Sequence, residues 1–315
     1  MHRNFVLSLD LQDGRVRVFD VAQNREHRAF GRTGNGPGEF QSFAAAQSLR
    51  TFPSLWIDVR GDTVFTYDGR RIDAWLDGVL AQSRLLAVQS GTAFARVSSL
   101  RALNRRLLLG VEYSPSLRSA ADAPGKLELF NVSSSDSAKA AALEFTTLPW
   151  PRNDAGGLAR GLAEAKPSWD ALGECAVFSD GHSSKLIVAS LESGHRDTLT
   201  LSLPERFAEV VPEERYERLG VRRNVSPPKF PARVQAITLD HTGTVWLLPA
   251  RPAYDGEIWK VNLGTGTFWS DTSRVFPLRF TADGIGIGLS VDDDGLSQVH
   301  LFTHRSVPNR PQSEE

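Results

Sequence analysis

The chain has 315 residues, 41% of them hydrophobic and 23% charged, an ordinary composition for a globular protein. Its 36 basic and 37 acidic residues leave a formal net charge of −1, so no global positive field draws it to nucleic acid or to an anionic membrane. The lone cysteine, Cys175, excludes an intramolecular disulfide, and no apolar run approaches the roughly 18 residues of a membrane span.

Taken in chain order, short alternating apolar runs dominate. They predict strands over 5–10, 15–20, about 25–30, 63–68, 71–76, 126–132, 185–191, 236–240, 244–250, 257–263, 284–291 and 298–304. Turn signals separate them: Asp13-Gly14, Gly61-Asp62, Asp68-Gly69, Thr242-Gly243, Asp283-Gly284 and Asp294-Gly295. Helical spacing is sparse. The run 203–220 carries it, with Pro212 inside and Gly220 at its end, and 158–165 is a weaker case. No βαβ alternation follows, so the chain reads as all-β with one or two short helical insertions.

The strands repeat as a unit. WIDVRGDTVFTYDGRRIDAWL (56–76) and the later ITLDHTGTVWLLPARPAYDGEIWKVNL share one order: an apolar strand ending in Asp, a glycine turn, a Val-aromatic strand, then a Trp-bearing strand. Centres at Phe19, Trp75, Phe130, Val188, Trp259 and Leu301, spaced about 40 to 70 residues apart, suggest six propeller blades. A small twisted sheet cannot bury its faces alone. Radial stacking lets each face pack on a neighbour and leaves only short edges, so the expected fold is a six-bladed β-propeller.

FGRTGNGPGEF (30–40) is the densest glycine run. A dinucleotide fingerprint needs a third glycine where Glu39 stands and tolerates no Pro37; a P-loop needs Gly-Lys-Ser/Thr. The remaining reading is an inter-blade turn. Glycines admit positive φ, Pro37 fixes φ, Glu39 accepts hydrogen bonds from turn amides, and Phe40 wedges back under the next blade.

These residues carry a family resemblance. VFDVAQNREHRAFGRTGNGPGEF resembles the NHL-type repeat of six-bladed propellers, more narrowly a bacterial family with a Gly-x-Gly-Pro-Gly-Glu-Phe turn after its first blade. Gly34, Gly36, Pro37, Gly38, Glu39 and Phe40 match that motif, and 230–263 is similar to its penultimate blade. The resemblance covers 5–80 and 200–265 and implies the fold, export or membrane tethering, and no assigned activity. The start MHRNFVLSLD has no apolar signal core.

Only three strands are legible before the glycine run, and the last blade lacks an outer strand. Either the terminal blades are three-stranded or the chain starts late, with an inner strand upstream. Residues 1–305 are expected to form one propeller domain, read as a monomer, and 306–315 a polar, disordered tail.

Candidate chemistry is thin. Asp292, Asp293 and Asp294 beside Gly295 form the one oxygen-rich turn that calcium favours, but the full calcium loop is missing and a solvated hairpin turn explains them. His300 and His304 lie on one strand face, outside chelating distance. GHSSK (181–185) lacks the closing glycine of a nucleophile elbow. The arginines of 100–106 and 218–224 read as solvated faces. Cys175 reads as a buried small hydrophobe.

The reading is therefore a non-catalytic scaffold without cofactor, binding a protein, glycan or small ligand. The first alternative is a calcium-dependent lactonase of the gluconolactonase–paraoxonase type, for which the inner strands offer Asp58 and Asp240. The second is RNA binding of the NHL kind.

Overall fold

The computed structural model describes residues 5–10, 13–40, 56–86, 94–114, 124–133, 138–146, 167–202, 234–249, 257–272, 275–281, 284–291 and 297–303. Among these there is no helix, and the strands form six main sheets, a six-bladed β-propeller class of fold. The segments 158–165 and 203–220, read above as helical, lie outside the described residues, as does the tail 306–315.

The first sheet holds β1 (Phe5–Asp10), β2 (Arg15–Asp20) and β3 (Arg25–Phe30). A short parallel bridge joins β4 (Arg32–Thr33) to β5 (Glu39–Phe40). The second sheet holds β6 (Trp56–Arg60), β7 (Thr63–Tyr67), β8 (Arg71–Leu76) and β9 (Val79–Leu85). The third holds β10 (Phe94–Ala102), β11 (Leu107–Ser114), β12 (Pro124–Asn131) and β13 (Ala138–Thr146). The fourth holds β14 (Ser168–Leu172), β15 (Cys175–Ser179), β16 (Lys185–Ser190) and β17 (Arg196–Thr200). The fifth holds β18 (Val234–Leu239), β19 (Thr244–Pro249), β20 (Glu257–Asn262) and β21 (Phe268–Thr272), and the sixth β22 (Pro277–Phe280), β23 (Ile285–Val291) and β24 (Ser297–Thr303). Strands follow one another in chain order in every sheet, so each is a meander.

The described residues group into two compact units. In the first, each face of the second sheet has its own partner. Register pairs Val64 with Trp75 and Thr66 with Asp73 on one side, and Phe65 with Ala74 and Tyr67 with Ile72 on the other. The Val64–Trp75 side packs with Val16, Val18, Phe30 and Phe40 from the first sheet and the glycine run. The Phe65–Tyr67 side packs with Val97, Leu100, Leu107, Leu109 and Val111 of the third sheet. A strand buried on both faces loses the polar alternation of a half-exposed one, which is why TVFTY is nearly all buried.

In the second unit, Val177 and Leu186 of the fourth sheet meet Ile237, Leu247, Trp259 and Val261 of the fifth. The other face of the fifth sheet meets the sixth: the Trp246 and Phe280 rings lie 5.4 Å apart, and the Thr238 hydroxyl donates to the Pro277 carbonyl at 2.8 Å. Inter-sheet contact of this kind places the apolar core between blades.

Candidate functional site

The glycine run is built around two carboxylates. Gly34 N–H donates to the Phe40 carbonyl at 2.9 Å and Glu39 N–H to the Gly36 carbonyl at 3.1 Å, closing a tight loop. Glu39 turns back into it. Its Oε2 accepts Gly36 N–H at 2.7 Å and its Oε1 accepts Arg32 Nε at 2.7 Å. The Gly36 amide first, and then the Arg32 guanidinium, hold the Glu39 carboxyl below the usual carboxylate range. The carboxylate occupies the place a Cβ at Gly34 would take, so any other residue there would displace Glu39 from the loop.

Gly38 has φ +72°, and its N–H donates to Asp73 Oδ2 on β8 at 2.9 Å. A Cβ there would meet the Trp75 ring at 3.0 Å. Phe40, 1% exposed, lies with Phe30 against Trp75, whose indole N–H donates to the Thr66 hydroxyl at 3.0 Å. A phosphate cradle presents its amides outward to a ligand. Here the Gly36 and Gly38 amides are turned onto Glu39 and Asp73.

The inner strands carry a second pattern, invisible in the spacing alone. Asp58 sits on β6 two residues before the hairpin to β7; Asp170 sits at the same place on β14 before β15. Each carboxylate binds the N–H of its following residue, Val59 or Ala171, through Oδ1. Each Oδ2 then accepts a backbone N–H from the first strand of the next sheet: Ala102 on β10 at 2.6 Å, Leu239 on β18 at 2.8 Å. Both aspartates are 3% exposed. Asp240 is occupied differently. Its Oδ1 accepts the N–H groups of Thr242 and Thr244, and its Oδ2 accepts the Trp246 indole N–H at 2.9 Å.

The described cavity lies between the second and third sheets. It measures about 80 Å3 and is lined by Arg60, Gln82, Arg84 and Ser133 with Phe65, Ile72, Ala74, Leu107 and Val132. Arg60 reaches it from the end of β6, its guanidinium 4.9 Å from the Phe65 ring centre and donating to the Leu103 carbonyl at 3.3 Å. Arg84 comes from β9 and donates to the Val132 carbonyl. Sequence reasoning missed both arginines, since neither belongs to a basic cluster. Their meeting depends on the register that sets Arg84 beside Ile72 and Gln82 beside Ala74.

Asp292, Asp293, Asp294, His304 and the arginines of 218–224 lie outside the described residues. His300 is described: its Nε2 lies 2.6 Å from the Ser290 hydroxyl on the neighbouring strand. GHSSK is the β15–β16 turn, where Asp180 accepts the N–H groups of His182 and Ser183. Cys175 is half-buried against the core of the second unit, and burial pushes its thiol above the ordinary value. Among the described residues no group of three or more His, Cys, Asp and Glu side chains could hold a metal ion, and no helix is long and apolar enough to cross a membrane.

Strand order, the meander sheets and the inter-sheet cores define the class: an all-β, six-bladed propeller. No family model and no curated protein matches the chain. Solved structures similar to it include a luciferin-regenerating enzyme at 10% identity, covering 95% of this chain and 87% of that one with a TM-score of 0.48. The calcium-binding protein regucalcin from Agrobacterium tumefaciens is similar at 10% identity, with 94% and 85% covered and a TM-score of 0.46. The β-propeller domain of Cps50 (Swd1) from Myceliophteria thermophila is similar at 8% identity, with 95% and 93% covered and a TM-score of 0.41.

Proposed function

We propose that this chain is a non-catalytic propeller scaffold whose blades present a binding surface to a small ligand or a protein. The observation that supports it is what the inner-strand carboxylates do. Asp58 and Asp170 each accept one backbone N–H beside them and one from the adjacent sheet, and Asp240 accepts from its own hairpin and from Trp246. A hydrolase of the gluconolactonase–paraoxonase type needs inner-strand carboxylates directed at a cation and at the reacting ester. Carboxylates already bonded to the main chain act as fasteners between blades, since leaving those amides buried and unsatisfied would cost about 1–3 kcal/mol each. The Gly34–Phe40 run has the same role in this reading: an inter-blade turn tying the first sheet to the second through Asp73 and Trp75.

The test is thermal unfolding in millimolar calcium and in EDTA, run beside a lactone-hydrolysis assay. A ligand that binds only the folded state raises Tm. Equal Tm in both conditions with no turnover fits a scaffold. A calcium-dependent rise in Tm together with lactone hydrolysis overturns it.

A further inference from the structure

We propose that the step from Asn35 to Gly36 is a latent deamidation site, held shut by the Glu39 carboxylate. It is the one Asn-Gly pair of the chain. Asn35 is exposed, so water and solvent base reach its side-chain amide. Gly36 has no Cβ to hinder a close approach of its own nitrogen. The reaction needs water and no other partner. The Gly36 main-chain nitrogen gives up its proton and attacks Asn35 Cγ. A new C–N bond forms, the C–N bond of the side-chain amide breaks, and ammonia leaves with the proton. Water then opens the five-membered imide. Opening at Cγ leaves aspartate; opening at the main-chain carbonyl leaves isoaspartate.

The folded loop opposes the first step in two ways. Gly36 N–H donates to Glu39 Oε2 at 2.7 Å, so the proton that must leave is held on a carboxylate. The nitrogen anion needed for attack would lie beside that negative charge, and like charges at such a distance disfavour ionisation. The same bond fixes the peptide plane between Asn35 and Gly36. Gly34 N–H on the Phe40 carbonyl at 2.9 Å and Glu39 N–H on the Gly36 carbonyl at 3.1 Å hold the rest of the loop. Swinging the Gly36 nitrogen toward Cγ therefore breaks contacts that folding keeps. Arg32 Nε, on Glu39 Oε1 at 2.7 Å, holds the carboxylate in place. Once the site reacts, the damage is local and permanent. Isoaspartate adds a methylene to the main chain inside the loop, and either product adds a carboxylate one residue from the amide that Glu39 accepts. Both loosen the turn whose Gly38 N–H is fastened to Asp73 of the second sheet.

The experiment incubates the full chain in mildly alkaline buffer at a temperature where tryptophan fluorescence shows every variant folded. Peptide mass spectrometry counts converted Asn35, and enzymatic methylation of isoaspartate reports the rearranged product. Folded wild type is expected to convert at least about tenfold more slowly than the same chain unfolded in guanidinium chloride, the factor that one charge-assisted hydrogen bond supplies. Glu39→Gln keeps an acceptor but no charge and is expected to recover most of that factor. Asp170→Ala weakens the other unit and is expected to leave the Asn35 rate at the wild-type value. Equal rates in folded and unfolded wild type overturn the protection. A Glu39→Gln rate no higher than wild type overturns the role of Glu39, and equal acceleration by Asp170→Ala assigns the effect to general loosening and overturns it as well.

Discussion

Asp170 on β14 accepts the backbone N–H of Leu239 on β18 at 2.8 Å, a bond spanning two blades and 69 residues of chain. Asp58 makes the same bond to Ala102 at 2.6 Å in the other unit. An aspartate in a strand interior opposes local β-propensity. The bond explains the exception, because the inner strands of neighbouring blades share no ladder and their buried amides need an acceptor from a side chain.

Removing that acceptor is expected to be costly. Asp170→Ala leaves the Leu239 and Ala171 amides buried without this partner, and unfolding free energy should fall by about 1–3 kcal/mol. Asp58→Ala should do the same. The two carboxylates bond different amides, Ala102 and Leu239, so the double variant should show the sum within a few tenths of a kcal/mol. Urea unfolding of the three variants checks this. A loss under about half a kcal/mol for Asp170→Ala would show that the bond is incidental.

Gly38 and Gly61 both have positive φ, +72° and +58°, but differ in what surrounds them. An alanine Cβ at Gly61 meets nothing within 4 Å; at Gly38 it meets Trp75 at 3.0 Å and Leu80 at 3.3 Å. Gly61→Ala should cost only the left-handed backbone term of about 1–2 kcal/mol. Gly38→Ala adds overpacking against the indole and should cost at least about 1 kcal/mol more. Equal losses would mean that Trp75 yields freely.

Two carboxyls of the glycine clasp should respond to pH with opposite sign. Glu39 is held below its ordinary value near 4.5 by the Gly36 amide and Arg32. A depressed folded value means its stabilisation is complete above the unfolded value and is lost as pH falls through the folded one. Asp73, 2% exposed, is pushed up from its ordinary value near 3.8, mainly by burial. A raised folded value means a contribution present below the unfolded value and lost as pH rises through the folded one. Relative to wild type, Glu39→Gln should therefore be destabilised most above about pH 5 and converge with it in acid. Asp73→Asn, which keeps an acceptor for Gly38 N–H, should compare most favourably near neutral pH and lose ground as pH falls. Tm measured across acid to neutral pH separates the two, and parallel curves for both variants would contradict the signs.

The strand pattern was legible because buried alternation is a local property. FVLSLD, RVRVFD and RIDAWL read as strands over the same residues that β1, β2 and β8 occupy. Outer strands such as β9, β17 and β21 escaped. VLAQSRL, RDTLT and FWSDT are largely exposed, so no apolar period marks them. The strands β10 and β14 escaped because polar residues interrupt their apolar runs, as Ser98 and Ser99 do in one and Asp170 in the other.

The glycine motif announced a turn, and Glu39 a partner for its amides, since both needs are satisfied within a few residues. Composition, strand period and turn chemistry thus determined the class of fold. Which aspartate reaches across to which amide, and that Arg60 and Arg84 share a wall with Phe65 and Leu107, were decided only when the sheets stacked. Such pairings join positions tens of residues apart through register and packing, and no local spacing encodes that distance.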